Sequence, residues 1–482
     1  MLARRRPVRR RRGDGRSSLS RLAEVPGRQG GGDPAWRPRA AAADRRCRLC
    51  FGVARAAAHR PHLLSGRHGR RRQRPALRRR AGRRRLFPDA AGLRSAGCLE
   101  ASRQYPAPVR WHRATDRSQE RLTADLVARV RLIRSSSIGP VTYRQLLARF
   151  GGAEAALSAI PDLAARGGGK APTIAPEAVA RKEIERVEAL GARYFALGQG
   201  LYPRLLAQLP DAPPLLIAKG DFALLDKQAV GIVGARNASA AACRFARGLA
   251  HDLGQEGLAV VSGLARGIDA AAHDGAMETG TIGVVAGGID VFYPPENEAR
   301  QKAMFERGLV IAEMPPGTEP RARHFPYRNR IIAGLSAGTV VIEAAPKSGS
   351  LITARLAAEA GREVMAVPGS PLDPRAQGCN QLIRDGATLV QGAADVVETL
   401  RPLAAHVQSA RASFEMAVPE ADEADGDARR LVEELLGPSP VPVDELVRLS
   451  GCPSGAVQLV LLELDLAGRL DRHAGGKVSL AA

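Results

Sequence analysis

Between residues 215 and 400 the sequence alternates short apolar runs with helix-like, alanine-rich segments, and this alternation constrains the fold more than any other feature. Strands that are covered by helices on both faces need continuous apolar runs, whereas a sheet with one wet face needs alternating ones. The pattern therefore predicts an α/β fold with a doubly wound parallel sheet. The predicted strands, all short and rich in Val and Ile, are Ala229–Val233, Leu258–Val261, Ile282–Val285, Leu309–Ile311, Gly338–Ile342 and Glu363–Val367.

The flanking segments predict two smaller domains around a large one at residues 198–402. Residues 121–197 show helical patterns that break at Ser137-Ile138-Gly139-Pro140, as in a helix-hairpin-helix, for which we expect a structural role. Residues 403–427 collect acidic side chains and predict a solvated linker. Residues 428–482 predict a winged helix, with helices at Arg429–Leu436, Val443–Ser450 and Ser454–Ala467 and a hairpin at Arg469–Leu480.

The positive charge of the chain is concentrated in its first 120 residues. The formal net charge is +23, and residues 1–120 hold 33 of the 72 basic and 8 of the 49 acidic side chains. The remaining 39 basic and 41 acidic residues give −2, so a polyanion site in the folded part must be a local patch. We expect residues 1–120 to be disordered, and a start codon set too far upstream explains them better than a basic arm that binds nucleic acid.

Cysteine usage and hydropathy indicate a cytoplasmic protein that does not span a membrane. The six cysteines have no regular spacing, and the pair Cys47 and Cys50 lacks a second pair that would complete a zinc site. No apolar run reaches the roughly 18 residues that cross a bilayer. No metal-binding constellation and no nucleophile beside a His and an acid is recognisable, so we expect neither a cofactor nor catalysis.

Ligands of an open α/β sheet bind beyond the carboxyl ends of its strands, so the loops there are the candidate site. Gly234-Ala235-Arg236 lies between a strand and a helix that opens near Ser239, and this predicts an anion site made of backbone N–H groups and a guanidinium. A dinucleotide site would need Gly-x-Gly-x-x-Gly here and an acid after the next strand. Arg236 replaces the second glycine, and the next strand ends in Ser262-Gly263 instead.

The second loop, Ser262 to Asp269, is a further anion-binding candidate. Ser262, Gly263 and Gly267 permit close backbone approach, and Arg266 supplies positive charge. We interpret Asp269 as the cap of a helix at Ala270–Met277, with a catalytic role as the less favoured alternative. The third such loop, with Gly287 and Gly288, offers a weaker signal for backbone approach to a ligand.

The densest signal is the segment from Arg321 to Arg330, which holds four arginines, His324, Phe325 and Tyr327 without one acid. A single nucleic-acid strand offers phosphates to arginines and base faces to aromatic rings. The alternative is an exposed basic loop with Phe325 in the core. Lys347-Ser348-Gly349-Ser350, before a helix expected to start near Thr353, offers another phosphate site, and we expect Glu343 to pair with one of the arginines rather than to act as a base.

Together these motifs resemble the DNA-processing protein A family (DprA/Smf), and the resemblance covers roughly residues 120–482. It rests on Gly234-Ala235-Arg236, Ser262-Gly263-Leu264-Ala265-Arg266-Gly267-Ile268-Asp269, Phe325-Pro326-x-Arg328-Asn329-Arg330-Ile331-Ile332 and Gly378-x-Asn380-x-Leu382-Ile383.

The resemblance implies a Rossmann-like DNA-binding domain in a cytoplasmic homodimer. Such a protein protects single-stranded DNA taken up in natural transformation and helps load the RecA recombinase onto it, without catalysis. The same resemblance assigns phosphate contacts to Arg236, Arg266, Arg328 and Arg330, with Lys347 and Phe325 beside them.

Two other functions remain open from the sequence. Nucleotide phosphoribohydrolases have a similar fold, but Pro368-Gly369-Ser370-Pro371 departs from their Pro-Gly-Gly-x-Gly-Thr loop. A duplex-DNA regulator would read DNA through the winged helix, whose third helix contains Glu463 and Asp465 and no basic residue. We therefore expect the winged helix to contact protein or to pack on the core.

Overall fold

The computed structural model describes residues 116–409, 426–473 and 475–481. Most of the arginine-rich segment, the pair Cys47 and Cys50, and residues 410–425 of the predicted acidic linker lie outside the described residues. Residues 403–409, which the sequence assigns to that linker, continue a helix instead. No helix of the described part is long and apolar enough to cross a membrane.

The core of the molecule is a nine-stranded sheet with the strand order β1-β2-β6-β5-β4-β3-β7-β8-β9. All six predicted strands are present, each within two residues of the predicted bounds. They form a parallel block together with β9. The strands are β1 Arg193–Ala196, β2 Leu215–Gly220, β3 Ala229–Gly234, β4 Ala259–Ser262, β5 Thr281–Val285, β6 Leu309–Ala312, β7 Gly338–Ile342, β8 Glu363–Ala366 and β9 Thr388–Leu389.

One edge of the sheet is antiparallel, which the sequence did not predict. β2 pairs antiparallel with β6, and β1 pairs antiparallel with β2. The sheet therefore begins at Arg193, before residue 198 where the sequence places the start of the large domain. The doubly wound α/β fold itself is confirmed, and the mixed edge extends it.

Helices cover both faces of the sheet because successive side chains of each strand point to opposite sides. On β3, Val230 and Ile232 pack in one core cluster, whereas Val233 packs in the other. The helices of this region are α5 Arg204–Ala207, α6 Ala240–Gln255, α7 Ile268–Ala276, α8 Glu298–Arg307, α9 His324–Leu335, α10 Gly349–Glu359, α11 Gln377–Arg384 and α12 Ala393–Ser409.

Four helices precede the sheet: α1 Asp116–Arg134, α2 Pro140–Phe150, α3 Ala153–Arg166 and α4 Glu177–Ala189. The predicted break is confirmed, because α1 ends at Arg134 and α2 begins at Pro140, where a proline suits the first helical turn. Val127, Val130 and Ile184 of α1 and α4 share a buried cluster with Ala196 and Leu215. The helical layer thus covers the antiparallel edge of the sheet.

The chain ends in the predicted winged helix. Its helices are α13 Gly426–Leu435, α14 Val443–Ser450 and α15 Ser454–Leu466, and its small sheet is formed by β10 Val441–Pro442, β11 Leu470–His473 and β12 Lys477–Leu480 in the order β10-β12-β11.

The third helix of the winged helix, α15, packs on the N-terminal helical layer. Leu459, Leu462 and Leu466 belong to the same buried cluster as residues of α2 and α3. The acidic residues that make α15 a poor DNA reader serve this contact: Asp465 accepts a hydrogen bond from Thr142 at 2.6 Å, and Glu463 lies 3.5 Å from Arg166. The sequence led us to expect that this module contacts protein or packs on the core, and in the structure it packs on the N-terminal helical layer of the same chain rather than on the sheet.

Gly167 provides a test of this docking. A Cβ at Gly167 would overlap the carbonyl oxygen of Glu463, while its φ of −73° is suitable for alanine. We expect Gly167→Ala to separate α15 from α3, so that the winged helix melts as a distinct transition in calorimetry. Gly437→Ala is the matched control, because nothing lies within 4 Å of the added Cβ. A single transition shared by Gly167→Ala and the wild type would contradict a tight docking.

Candidate functional site

A cleft lies at the carboxyl ends of β3, β4 and β5, where the loops that follow these neighbouring strands converge. The loop after β3 contributes Arg236, the loop after β4 contributes Arg266, and the start of α9 contributes Phe325 and Arg328. Tyr293, in the loop after β5, also lines the cleft. Four of the predicted site residues are therefore brought together although they are spread over more than ninety positions of the sequence.

Phe325 is the aromatic centre of this cleft. Its ring is partly exposed, with the guanidinium carbon of Arg236 5.3 Å from its centroid and the ring of Tyr293 6.0 Å away at 55°. Tilted ring pairs and guanidinium groups over rings are both favourable arrangements. Phe325 thus forms a partly exposed aromatic platform at the cleft and is not a core residue, which contradicts the alternative left open from the sequence.

The two exposed arginines flank the platform. Arg236 is exposed and makes no ion pair among the described residues. Arg266 lies 3.6 Å from Glu296, but both side chains are 61% exposed, so water screens this pair and the guanidinium remains available.

Arg328 has a different environment, because it is buried at the floor of the cleft with only 7% of its side chain exposed. Its nearest acid is Asp269 at 3.9 Å, and its guanidinium packs where a side chain at Gly263 would stand. Within the described part of the chain nothing accepts a hydrogen bond from its Nε. The floor of the cleft therefore carries a positive charge whose donors are not all used.

Burial affects both members of this pair. It lowers the pKa of Arg328, although an arginine starts so high that it stays charged, and it raises the pKa of Asp269, with Arg328 acting in the opposite direction. An anion in the cleft would face a guanidinium that has little water around it and would interact with it more strongly than with an exposed one.

Two predicted contact residues lie away from the cleft. Arg330 is 5% exposed and donates to Glu313 at 2.5 Å and to the carbonyl of Asp211, so the structure uses it internally and does not present it to a ligand. Lys347 is exposed in the loop after β7, which does not line this cleft. The helix after that loop begins at Gly349, before the predicted Thr353, and Ser348 and Ser350 contact each other at 2.8 Å.

Three N–H groups of the loop after β4 are used within the protein and are not free for the anion that the sequence predicts there. Those of Gly263 and Ala265 point to the carboxylate of Asp269 at 3.2 and 3.4 Å, and that of Leu264 donates to Nε2 of His273 at 3.3 Å. The interpretation of Asp269 as a helix cap is wrong, because Gly267 is the cap residue and Asp269 holds the preceding loop. The hydroxyl of Ser262 is also used internally, by the carbonyl of Ile232 at 2.6 Å.

Glycines at the site allow the chain to approach itself. A Cβ at Gly267 would overlap the carbonyls of Ala235 and Arg236, and Gly267 has a φ of +76°, which glycine adopts at least cost. Three more of the predicted glycines lie close to other parts of the chain: added Cβ atoms at Gly234, Gly287 and Gly288 would meet Ile342, Thr318 and Pro315 respectively, whereas an added Cβ at Gly349 would meet nothing within 4 Å. The absence of side chains at Gly234, Gly267, Gly287 and Gly288 therefore allows neighbouring loops to pack closely, and Gly287 also lines the cleft.

The sequence missed the residues that hold the cleft in shape. Asn297 donates to the carbonyls of Leu264 and Ala265 at 2.6 and 3.1 Å, and His273 joins Leu264 to Thr281. Tyr293 was also missed, although it follows the Gly287-Gly288 loop that the sequence singled out. No local pattern marks Asn297 or His273, since their partners are distant backbone groups.

Three family profiles cover most of the described chain. The profile of DNA recombination-mediator protein A matches residues 193–401, that of the DprA-like N-terminal HHH domain matches 123–185, and that of the DprA winged helix domain matches 415–476. The chain belongs to the DNA recombination-mediator protein A family. This confirms the resemblance drawn from the loop motifs.

Two relatives agree with this assignment by sequence, and one solved structure is similar to part of the chain. The DNA processing protein DprA of Bacillus subtilis is 46% identical over 213 residues, which are 44% of this chain and 72% of the relative. Protein Smf of Escherichia coli is 35% identical over 282 residues, 58% of this chain and 75% of the relative. The X-ray structure of DNA processing protein A from Streptococcus pneumoniae shares 42% identity, covers 46% of this chain and 78% of that one, and superposes with a TM-score of 0.44.

The buried side chain of His273 makes the stability of the folded protein depend on pH in a specific range. Burial lowers its pKa to about 3, with Arg300 acting in the same direction. The unfolded chain, with a histidine pKa near 6.5, therefore binds one more proton than the folded chain between about pH 6.5 and 3, and stability is lost as the pH falls through this window. From pH 7 to pH 5 the expected loss from this residue is about 2 kcal/mol.

We expect His273→Gln to remove this part of the pH dependence, because glutamine does not titrate but can still accept from the N–H of Leu264. The measurement is urea unfolding of the wild type and the variant at pH 7, 6 and 5, in which the difference in unfolding free energy should change by about 2 kcal/mol. A difference that is constant with pH would show that the folded and unfolded chains protonate His273 alike, which would contradict the lowered pKa.

Proposed function

We propose that this protein binds single-stranded DNA, without catalysis, in the cleft around Phe325. The observation that carries the proposal is the aromatic platform of Phe325 and Tyr293 between exposed Arg236 and Arg266, above the buried charge of Arg328. Sequence-tolerant binding of a single strand needs this combination, since bases stack on aromatic rings while arginines neutralise the phosphates. Duplex DNA keeps its base faces stacked inside and cannot use the platform.

Family membership supports a role in DNA recombination, and the finer assignments are proposals of the same kind. The protein would act in the cytoplasm as a homodimer, protect single-stranded DNA taken up in natural transformation and help load the RecA recombinase onto it. The relative from Bacillus subtilis is a DNA processing protein, which is consistent with these roles. Lys347 and the Ser348–Ser350 segment would meet the strand outside the cleft, because Lys347 is exposed at the same edge of the sheet.

The double variant Arg236→Ala/Arg266→Ala tests the phosphate contacts. Binding of the full chain to labelled oligothymidine and to a duplex of equal length is measured across a salt series. Each lost phosphate contact to a single strand makes the plot of log K against log salt less steep by about 0.7. The plot for the double variant should therefore be less steep than that of the wild type by about 1.4, and its affinity for oligothymidine should be lower. The arginine-rich segment is present in every variant, so its contribution cancels in the comparison.

Arg307→Ala is the matched control for this experiment. Arg307 is 51% exposed and ends α8 just before β6, so it lies at the edge of the sheet opposite the cleft. The variant Arg307→Ala should leave both the affinity for oligothymidine and its salt dependence unchanged. Equal binding of single strand and duplex by the wild type, or equal effects of Arg307→Ala and the double variant, would overturn the proposal.

Phe325→Leu tests the platform separately from the charges. Leucine keeps an apolar side chain but cannot stack with a base, and loss of one stacked base costs about 1–3 kcal/mol of binding free energy. The slope with salt should stay as in the wild type because no phosphate contact is lost. Fluorescence anisotropy with oligothymidine measures both quantities, and a variant with wild-type affinity would assign Phe325 to packing alone.

A further inference from the structure

The sheet has a second place where its topology favours an anion, and the chain fills it with its own side chain. Strands run from β3 through β4 and β5 to β6 in one direction, and the chain then returns to β7 on the other side of β3. The crevice between β3 and β7 is therefore the switch point at which doubly wound folds hold the phosphates of their nucleotides. Gly234 pairs with Ile342 at this level, so the loops after both strands start side by side.

The carboxylate of Glu343 occupies this crevice at the N-terminus of α6. Its Oε2 accepts from the backbone N–H of Ser239 at 2.8 Å, and its Oε1 accepts from the hydroxyl of Ser239 at 2.6 Å. The same hydroxyl accepts from the N–H of Ala242 at 3.0 Å and caps the helix. Glu343 thus pairs with Ser239, and the expectation that it pairs with an arginine of the cleft is wrong.

Two further features show that this contact is built rather than incidental. Glu343 adopts a φ of +50°, a left-handed conformation that non-glycine residues adopt at a cost, and such strain persists only where its surroundings hold it. The helix α6 has sixteen residues and no acid in its own first turn. Glu343 therefore supplies from another strand the negative charge that the helix N-terminus favours.

We propose that Glu343 is a specificity-determining residue whose carboxylate stands in for a ligand phosphate at the switch point. It uses the donors that a phosphate would need and repels a second anion at the same place. Nucleotides are thereby excluded from the crevice between β3 and β7. In the open cleft at β3, β4 and β5, Arg236 makes no ion pair among the described residues and Arg266 meets Glu296 only in an exposed pair, so this cleft is left as the place where a polyanion binds.

The test removes the carboxylate and asks whether inorganic phosphate takes its place. Glu343→Ala keeps the strained backbone of the wild type, whereas Glu343→Gly relieves it, so an effect seen in both variants belongs to the carboxylate. We expect phosphate to bind each variant at least ten times more tightly than the wild type in calorimetric titration of the full chain. It should also raise the melting temperature of both variants more than that of the wild type.

Glu359→Ala is the matched control, because it removes one exposed carboxylate, 60% accessible at the end of α10, without opening a helix N-terminus. It should show no gain in phosphate binding. Variants of Glu343 that bind phosphate no better than Glu359→Ala overturn the proposal. If both Glu343 variants fail to fold, Glu343→Gln decides, since phosphate should raise its melting temperature if the charge excludes anions and should not if the side chain is only a packing element.

Binding of oligothymidine by the same variants separates this inference from the function proposed above. A gain in phosphate binding with unchanged DNA binding supports Glu343 as an excluding residue, whatever the cleft holds. Loss of DNA binding without a gain in phosphate binding would show instead that Glu343 serves to hold the Arg236 loop, and the inference would fail.

Discussion

The burial of Arg328 beside Asp269 is the interaction on which the arrangement of the cleft depends. The guanidinium comes from α9, fills the space left by Gly263 and lies 3.9 Å from Asp269, so one side chain connects α9 to the loop after β4. A buried charge needs a partner, and removing one member of such a pair leaves the other uncompensated at a cost of about 3–5 kcal/mol. The loop and the platform around Phe325 therefore keep their positions together.

Some polar groups of the loops around the cleft form hydrogen bonds within the protein and hold the loops in place, whereas others remain exposed and form the surface available to a ligand. The carboxylate of Asp269 accepts from the N–H groups of Gly263 and Ala265 in the loop after β4, and that of Glu343 accepts from the N–H of Ser239 at the start of α6, so these donors are used within the protein. The exposed side chains of Arg236 and Arg266 and the ring of Phe325 remain for a ligand. The same division explains the position of the winged helix, because the acidic residues of α15 contact the helical layer and hold the winged helix there.

Much of the fold and of the candidate site could be predicted because strands, helix breaks and loop motifs depend on the local sequence pattern. Continuous apolar runs such as that of β7 gave the strands, and the break at Pro140 gave the first helical hairpin. The edge strand β1 was missed because it is only partly buried and has no distinctive periodicity. The strand β2 was missed although Leu215 to Ala218 is a buried apolar run. Arg328 and Arg330 stand two residues apart in one basic segment, yet a helix turns them toward different partners, which charge alone does not indicate.

The sequence by itself determined six strands of the sheet, the family and the arginine-bearing segments that form the site, because these follow from hydrophobic period and from glycine and arginine motifs. Only the tertiary structure decided which arginines face a ligand and which lie in the interior, since that depends on acids brought close from distant positions, such as Glu313 for Arg330. It also decided that Glu343 faces Ser239, which is 104 residues away in the chain but adjacent across two neighbouring parallel strands.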